Sequence, residues 1–177
     1  MIAATTLVID DEPMVRKLVR RILEPEVCGV VDVGDGETGL ELIQRRRGSI
    51  DVVLTDLSMP GIDGVDLVDV LTEHHPDLPV ACMSAYVDQY NVECRLSVPL
   101  LSKPFSTDGL RGLIVPLIER SRQFRAGAHE QRERAGAAGT ENEALGARTQ
   151  MGVARAVDLI AIARALHSSR ANRARQD

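Results

Sequence analysis

Five short runs of apolar, mostly β-branched residues mark the first part of the chain, at residues 5–9, 29–33, 50–55, 78–83 and 98–101. Runs without polar alternation predict strands buried on both faces. Between them the apolar positions follow a helical period. In residues 13–23, Val15, Leu18, Val19, Ile22 and Leu23 fall at i, i+3, i+4, i+7 and i+8, which places Arg16, Lys17, Arg20 and Arg21 toward water. Pro13 suits a first helical turn, and the acids before it can cap. Further helices are predicted at 37–44, 64–75, 87–96 and 106–120, the last with Leu110, Leu113, Ile114, Leu117 and Ile118 on one face. Five strands alternating with five helices predict an α/β fold, a doubly wound five-stranded parallel sheet with right-handed crossovers.

After Arg120 the pattern dissolves. Residues 122–150 are rich in Gly, Ala, Glu and Arg and predict a flexible linker or a fraying helix. Apolar spacing returns with Val153, Val157, Ile160, Ile162 and Leu166, so an amphipathic helix is expected over 151–168, followed by a disordered tail over 169–177. That helix suits docking on the body or pairing with a second chain as a homodimer. The expected units are therefore a domain at 1–121 and a helical or disordered C-terminal extension.

Composition narrows the class. The 177 residues are 44% hydrophobic, enough for one core with length left over. Residues 1–120 carry 20 acids against 11 bases, net −9, and residues 121–177 carry 6 against 10, net +4. The tail's bases are interleaved with Glu and no aromatic follows Phe124, so a solvated segment is the expectation rather than a nucleic-acid arm. Cys28, Cys82 and Cys94 lack metal or redox spacing and read as small apolar residues. Neither a secretion signal nor a membrane span is expected, since Arg155, Asp158 and Arg164 interrupt the most apolar late segment. A soluble, cytoplasmic protein is the expectation.

Ligands of open parallel sheets bind beyond the carboxyl ends of the strands. Here the first strand ends in Asp10-Asp11, followed by Glu12, and the third ends in Asp56. The fourth ends in Ser84-Ala85, and the fifth leads into Lys103-Pro104-Phe105. Carboxylates gathered at one edge repel one another and call for a hard divalent cation, and Mg²⁺ suits carboxylates beside a phosphate. Lys103 offers a compact positive charge for a phosphoryl oxygen, and Ser84 a hydroxyl donor.

Four motifs in this order carry a resemblance: Leu7-Val8-Ile9-Asp10-Asp11-Glu12; Val53-Leu54-Thr55-Asp56 with Met59-Pro60-Gly61-Ile62-Asp63-Gly64; Met83-Ser84-Ala85; and Lys103-Pro104-Phe105. Over residues 4–120 the chain resembles the receiver domains of two-component response regulators, and Met83-Ser84 with Tyr86 is similar to receivers of bacterial hybrid sensor kinases. The resemblance implies a flavodoxin-like sheet of strand order 2-1-3-4-5. It implies that Asp56 is the phosphoacceptor, that Asp11, Asp56 and the Ser58 carbonyl ligate Mg²⁺ with Asp10 assisting through water, and that Ser84 and Lys103 hold the phosphoryl group. The donor would be a sensor histidine kinase or a histidine phosphotransfer protein, and the output a further, unidentified protein.

The chain departs from that pattern on one face. Leu100 stands where receivers carry Tyr or Phe three residues before the lysine, and the stretch from Ser84 to Lys103 is about three residues short, close to one helical turn. Gly109, Gly112 and Pro116 weaken the last predicted helix of the domain. Switching is therefore expected from Ser84, Tyr86 and Leu100. The leading expectation is a phosphorylated regulator or phosphorelay carrier that is not itself an enzyme, and the alternative is a transcription regulator with an Arg-rich DNA-binding tail. An Asp-nucleophile phosphatase is disfavoured, because that class needs Asp-x-Asp rather than adjacent aspartates at the first strand.

Overall fold

A computed structural model describes residues 2–25, 27–46, 48–85, 98–138 and 158–173. Strand β1 (Ile2–Ile9) is followed by α1 (Pro13–Leu23), β2 (Val27–Val33), α2 (Gly36–Arg45), β3 (Val52–Asp56), α3 (Gly64–His74), β4 (Val80–Ser84) and β5 (Leu100–Ser102). Two helices complete the described chain, α4 (Thr107–Ala138) and α5 (Leu159–Arg173). The five strands form one sheet in the order β2-β1-β3-β4-β5, and all four pairings are parallel. This is the order implied by the resemblance.

The register aligns the strand ends that carry the candidate chemistry. Ile9 pairs with Thr55, Asp56 with Met83, and Ser84 with Ser102, so Asp10, Asp56, Ser84 and Lys103 emerge together at the carboxyl edge. One sheet face packs Val8, Leu54 and Met83 against Val19 and Leu23 of α1 and Leu110, Ile114 and Ile118 of α4. The other packs Leu7, Ile9, Val53 and Cys82 against Leu40 and Ile43 of α2 and Leu67, Val68 and Leu71 of α3. Both strand faces are thus apolar, which is why the runs read as continuous rather than alternating.

Four expectations need correction. Helix α4 runs to Ala138, so the first part of the stretch read from 122 as linker or fraying helix is helix. Its apolar stripe ends near Ile118, but Glu, Arg and Ala continue a helix well, and Arg125 ties it to the body by bonding Asp51 and the Ile50 carbonyl. Pro116 is exposed and the helix passes through it. Helix α5 starts at Leu159, where the Asp158 carboxylate accepts the Ala161 N–H at 3.1 Å, and runs to Arg173, past the end expected at 168. Finally, Arg16 and Arg20 do not simply face water, because both turn to Asp32 at the end of β2. The predicted helix at 87–96, Val153, Val157, Cys94 and the last four residues lie outside the described residues.

Helix α5 docks on the body. Leu159 and Ala163 are buried in the core on the α2–α3 side, with Ile160, Ile162 and Leu166 half-buried around them. No described helix is long and apolar enough to cross a membrane.

Candidate functional site

The site is built from four segment ends. Asp10 follows β1, its backbone held by an N–H bond to the Val33 carbonyl (3.2 Å) and by Arg16, whose Nη1 donates to the Asp10 carbonyl at 2.7 Å. Its fully buried carboxylate accepts the Glu12 N–H at 2.8 Å and the Lys103 ammonium at 2.8 Å. The Asp10 side chain therefore covers the amide at the entry of α1, whose own N-cap, Glu12, makes no side-chain capping bond. That differs from the capping role the sequence suggests for these acids.

Asp56 closes β3. Its carboxylate Oδ2 lies 3.1 Å from Lys103 Nζ and it accepts the Ser58 backbone N–H. Burial pushes the Asp56 carboxyl above the usual carboxylate range; Lys103 opposes this and the like charge of Asp10 adds to it. For Lys103, burial works against the charged form, but the bonds to Asp10 and the charges of Asp56 and Asp10 prevail and raise its pKa. Glu12 stands 3.9 Å from the same ammonium. Asp10, Asp11 and Asp56 each bring a carboxylate oxygen into a cluster no more than 4.8 Å across. Asp11 is exposed and lines an open cleft with Ser58, Met59, Pro60 and Asp63.

Ser84 is fully buried at the end of β4, and its carbonyl accepts the Lys103 N–H at 2.7 Å, which sets the lysine's place in the site. The Lys103–Pro104 peptide is cis. Leu100 is half-buried, paired with Cys82 and packed in the α2–α3 core; Tyr86 lies outside the described residues. The Cys82 thiol behind the site is pushed up to about 12 by burial and by the Asp56 charge, so it is inert packing.

Sequence reasoning missed two supports. Gly64 opens α3 against the phosphoacceptor candidate's own backbone: a Cβ there would stand 2.8 Å from the Asp56 carbonyl carbon and from Leu57 Cα. Its presence in the Gly61-Ile62-Asp63-Gly64 motif was the available signal. Arg16 was the other, and nothing in its helical position marks it until Asp10 and Asp32 are placed around it.

The Asp32 pair can be tested by pH. The hydrogen bond from Arg20 holds the Asp32 carboxyl below its ordinary value, against burial, with Arg16 adding to the effect. A carboxyl depressed in the folded state stabilises above its unfolded pKa and loses that contribution as pH falls through the folded one. Asp32→Asn should therefore cost no more than about 1 kcal/mol at neutral pH, given the partial exposure of both partners. Urea melts should show the difference from wild type closing as pH drops below the usual carboxylate range. A constant difference across pH would assign the effect to packing instead.

The model of the response regulator receiver domain family matches residues 6–114. The chain belongs to this family. Its receiver domain is 30% identical over 121 residues to sensor kinase CckA of Brucella abortus, covering 67% of this chain and 13% of that protein. It is 38% identical over 85 residues to the transcriptional regulatory protein DegU of Brevibacillus brevis, covering 47% of this chain and 35% of that one. A solved receiver domain protein of Clostridium thermocellum superposes with a TM-score of 0.61 at 27% identity, covering 68% of this chain and 98% of that chain. The chain thus spans about a tenth to a third of the length of these curated relatives, and what it shares with them is the receiver, a signalling switch.

Proposed function

We propose that this receiver accepts a phosphoryl group on Asp56 from a sensor histidine kinase or a histidine phosphotransfer protein, in a Mg²⁺-dependent reaction, and passes the signal to a downstream protein. The observation that carries this reading is the half-buried Lys103, whose ammonium is held between Asp10 and Asp56 in the carboxylate cluster completed by Asp11. A lysine so placed already neutralises the acid that must react, and it is within reach of an oxygen on that acid's product.

The three clustered carboxylates fit a hard divalent cation. Asp10, Asp11 and Asp56, with the Ser58 carbonyl, would hold Mg²⁺, which when bound supplies charge neutralisation for the phosphoryl oxygens. The Asp56 carboxylate acts as nucleophile. Its oxygen forms a bond to phosphorus as the P–N bond of the donor phosphohistidine breaks, and the electron pair leaves with the imidazole nitrogen. Ser84 and Lys103 then hold the phosphoryl group, Ser84 by its hydroxyl and Lys103 by its charge.

The tail does not favour the DNA-binding alternative, because Arg164 and Arg170 are engaged by Glu37, Asp66 and Asp69 of the body. The test is direct. Incubation with Mg²⁺ and acetyl phosphate should add one base-labile phosphoryl group, peptide mapping should find it on Asp56, and a chelator should prevent it. A chain that stays unmodified with several donors, or is modified elsewhere, overturns the proposal.

A further inference from the structure

Helix α5 is held on the body by two sets of charges with different positions. On α2, Arg164 makes a two-pronged, exposed pair with Glu37, at 3.0 and 2.8 Å. On α3, Arg170 Nη1 lies 2.8 Å from Asp66 Oδ1, and the same guanidinium bonds Asp69. His167 Nδ1 lies 2.9 Å from Asp66 Oδ2. Both side chains also stand 3.9 Å from the carboxylate of Asp63.

The second set touches the first turn of α3. Asp66 is fully buried, and burial and the neighbouring Asp63 charge push its carboxyl upward, opposed by His167 and Arg170. Asp63 is the N-cap of α3, accepts the Asp66 N–H at 2.9 Å, and lines the acidic cleft with Asp11 and Ser58. Between these two acids sits Gly64, whose N–H donates to the Leu57 carbonyl at 3.1 Å and whose Cα lies against the Asp56 backbone. Asp63, Asp66 and His167 bring their ligand atoms within 4.8 Å of one another, the spacing of a cation site, but Arg170 already supplies positive charge there.

We propose that His167 and Arg170 are positioning residues for the phosphoacceptor. By holding Asp63 and Asp66 on either side of Gly64, they keep the first turn of α3 pressed against the backbone of Asp56 and so set the shape of the cleft edge. The C-terminal helix is then a working part of the receiver site. Docking of α5 and occupancy of the cleft by a phosphoryl group are linked, each strengthening the other by the same factor. This rests on Asp56 being the phosphoacceptor.

The experiment uses the full chain, with Mg²⁺ and beryllofluoride as the phosphoryl mimic. In the wild type, the mimic should slow amide hydrogen exchange across residues 159–173. The double variant His167→Gln, Arg170→Gln should bind the mimic about fivefold more weakly, at the low end of measured couplings between sites. Arg170→Lys, which keeps the charge, should recover most of the loss. Arg164→Gln loosens the same helix at α2, away from Asp63, and should change the affinity by less than about twofold. A helix that merely covers apolar surface would show no protection by the mimic, and would respond to Arg164→Gln as much as to the double variant; either result overturns the inference. A wild type that takes the phosphoryl group while α5 exchange stays unchanged overturns it alone. A wild type that takes neither phosphoryl group nor mimic overturns the proposed function with it.

Discussion

Lys103→Met should end efficient phosphoryl acceptance and, in the presence of a chelator, should destabilise the protein by about 3 kcal/mol or more, the usual cost of leaving a buried charge without its partner. Among the described residues, the lysine is the one cation bonded to both Asp10, which is fully buried, and Asp56, which is nearly so. Methionine matches the length of the side chain but leaves two carboxylates facing each other. Mg²⁺ should restore part of the loss, since it supplies the missing positive charge in the folded state alone. Asp56→Asn should part company with it. That variant should also lose phosphoryl acceptance, yet it removes a carboxylate that burial and Asp10 hold above its ordinary pKa. A carboxyl raised in the folded state stabilises at low pH and loses that contribution as pH rises, so its ionised form gives no stability at neutral pH. Asp56→Asn should therefore be at least as stable as wild type without divalent cation. Urea melts of the three proteins in chelator and in Mg²⁺ decide the matter. Equal stability of Lys103→Met and wild type in chelator would mean that the ammonium does not hold the site together.

Gly64→Ala is expected to cost about 3 kcal/mol and to slow phosphorylation of Asp56, the upper range for overpacking a rigid site. The added carbon would meet the Asp56 carbonyl carbon and Leu57 Cα, main-chain atoms that cannot rotate away as a side chain would. Strand β3 and the first turn of α3 must separate to admit it, and that separation displaces Asp56, the proposed phosphoacceptor. Helix propensity alone argues the reverse, since alanine is favoured over glycine by up to about 1 kcal/mol. Gly112 in α4 provides the contrast, because a Cβ there meets nothing within 4 Å. Gly112→Ala should stabilise by roughly that propensity difference. If both substitutions shift the urea midpoint in the same direction, close packing at Gly64 is not what selects glycine.

Much of the receiver was legible along the chain. The continuous apolar runs announced a sheet covered on both faces, because strands buried on two sides cannot alternate. The acids, serine and lysine at the run ends announced the site, because a parallel sheet delivers every strand's carboxyl end to one edge. These are local signals with a single geometric consequence. The chain's charged helix faces were less legible. Arg16 and Arg20 look like ordinary solvent-facing positions on α1, and Asp32 must be folded beside them before they become the brace behind Asp10. Helix α4 outruns its apolar stripe because propensity and the Arg125 contacts to Asp51 and Ile50 sustain it, and no periodicity reports either.

The C-terminal helix marks the boundary most clearly. Its apolar spacing allowed docking on the body or pairing with a second chain, and the pattern alone is the same for both. In the fold it lies on the body, where Leu159 and Ala163 complete the α2–α3 core. It also brought His167 and Arg170 to Asp63 and Asp66, about a hundred residues away in the chain. Residue types and their periods sufficed for the succession of strands and helices along the chain and for the acidic edge, while the strand order came with the family resemblance. Which charges meet across elements was left to the fold, because a salt bridge between distant segments has no period and no motif to announce it.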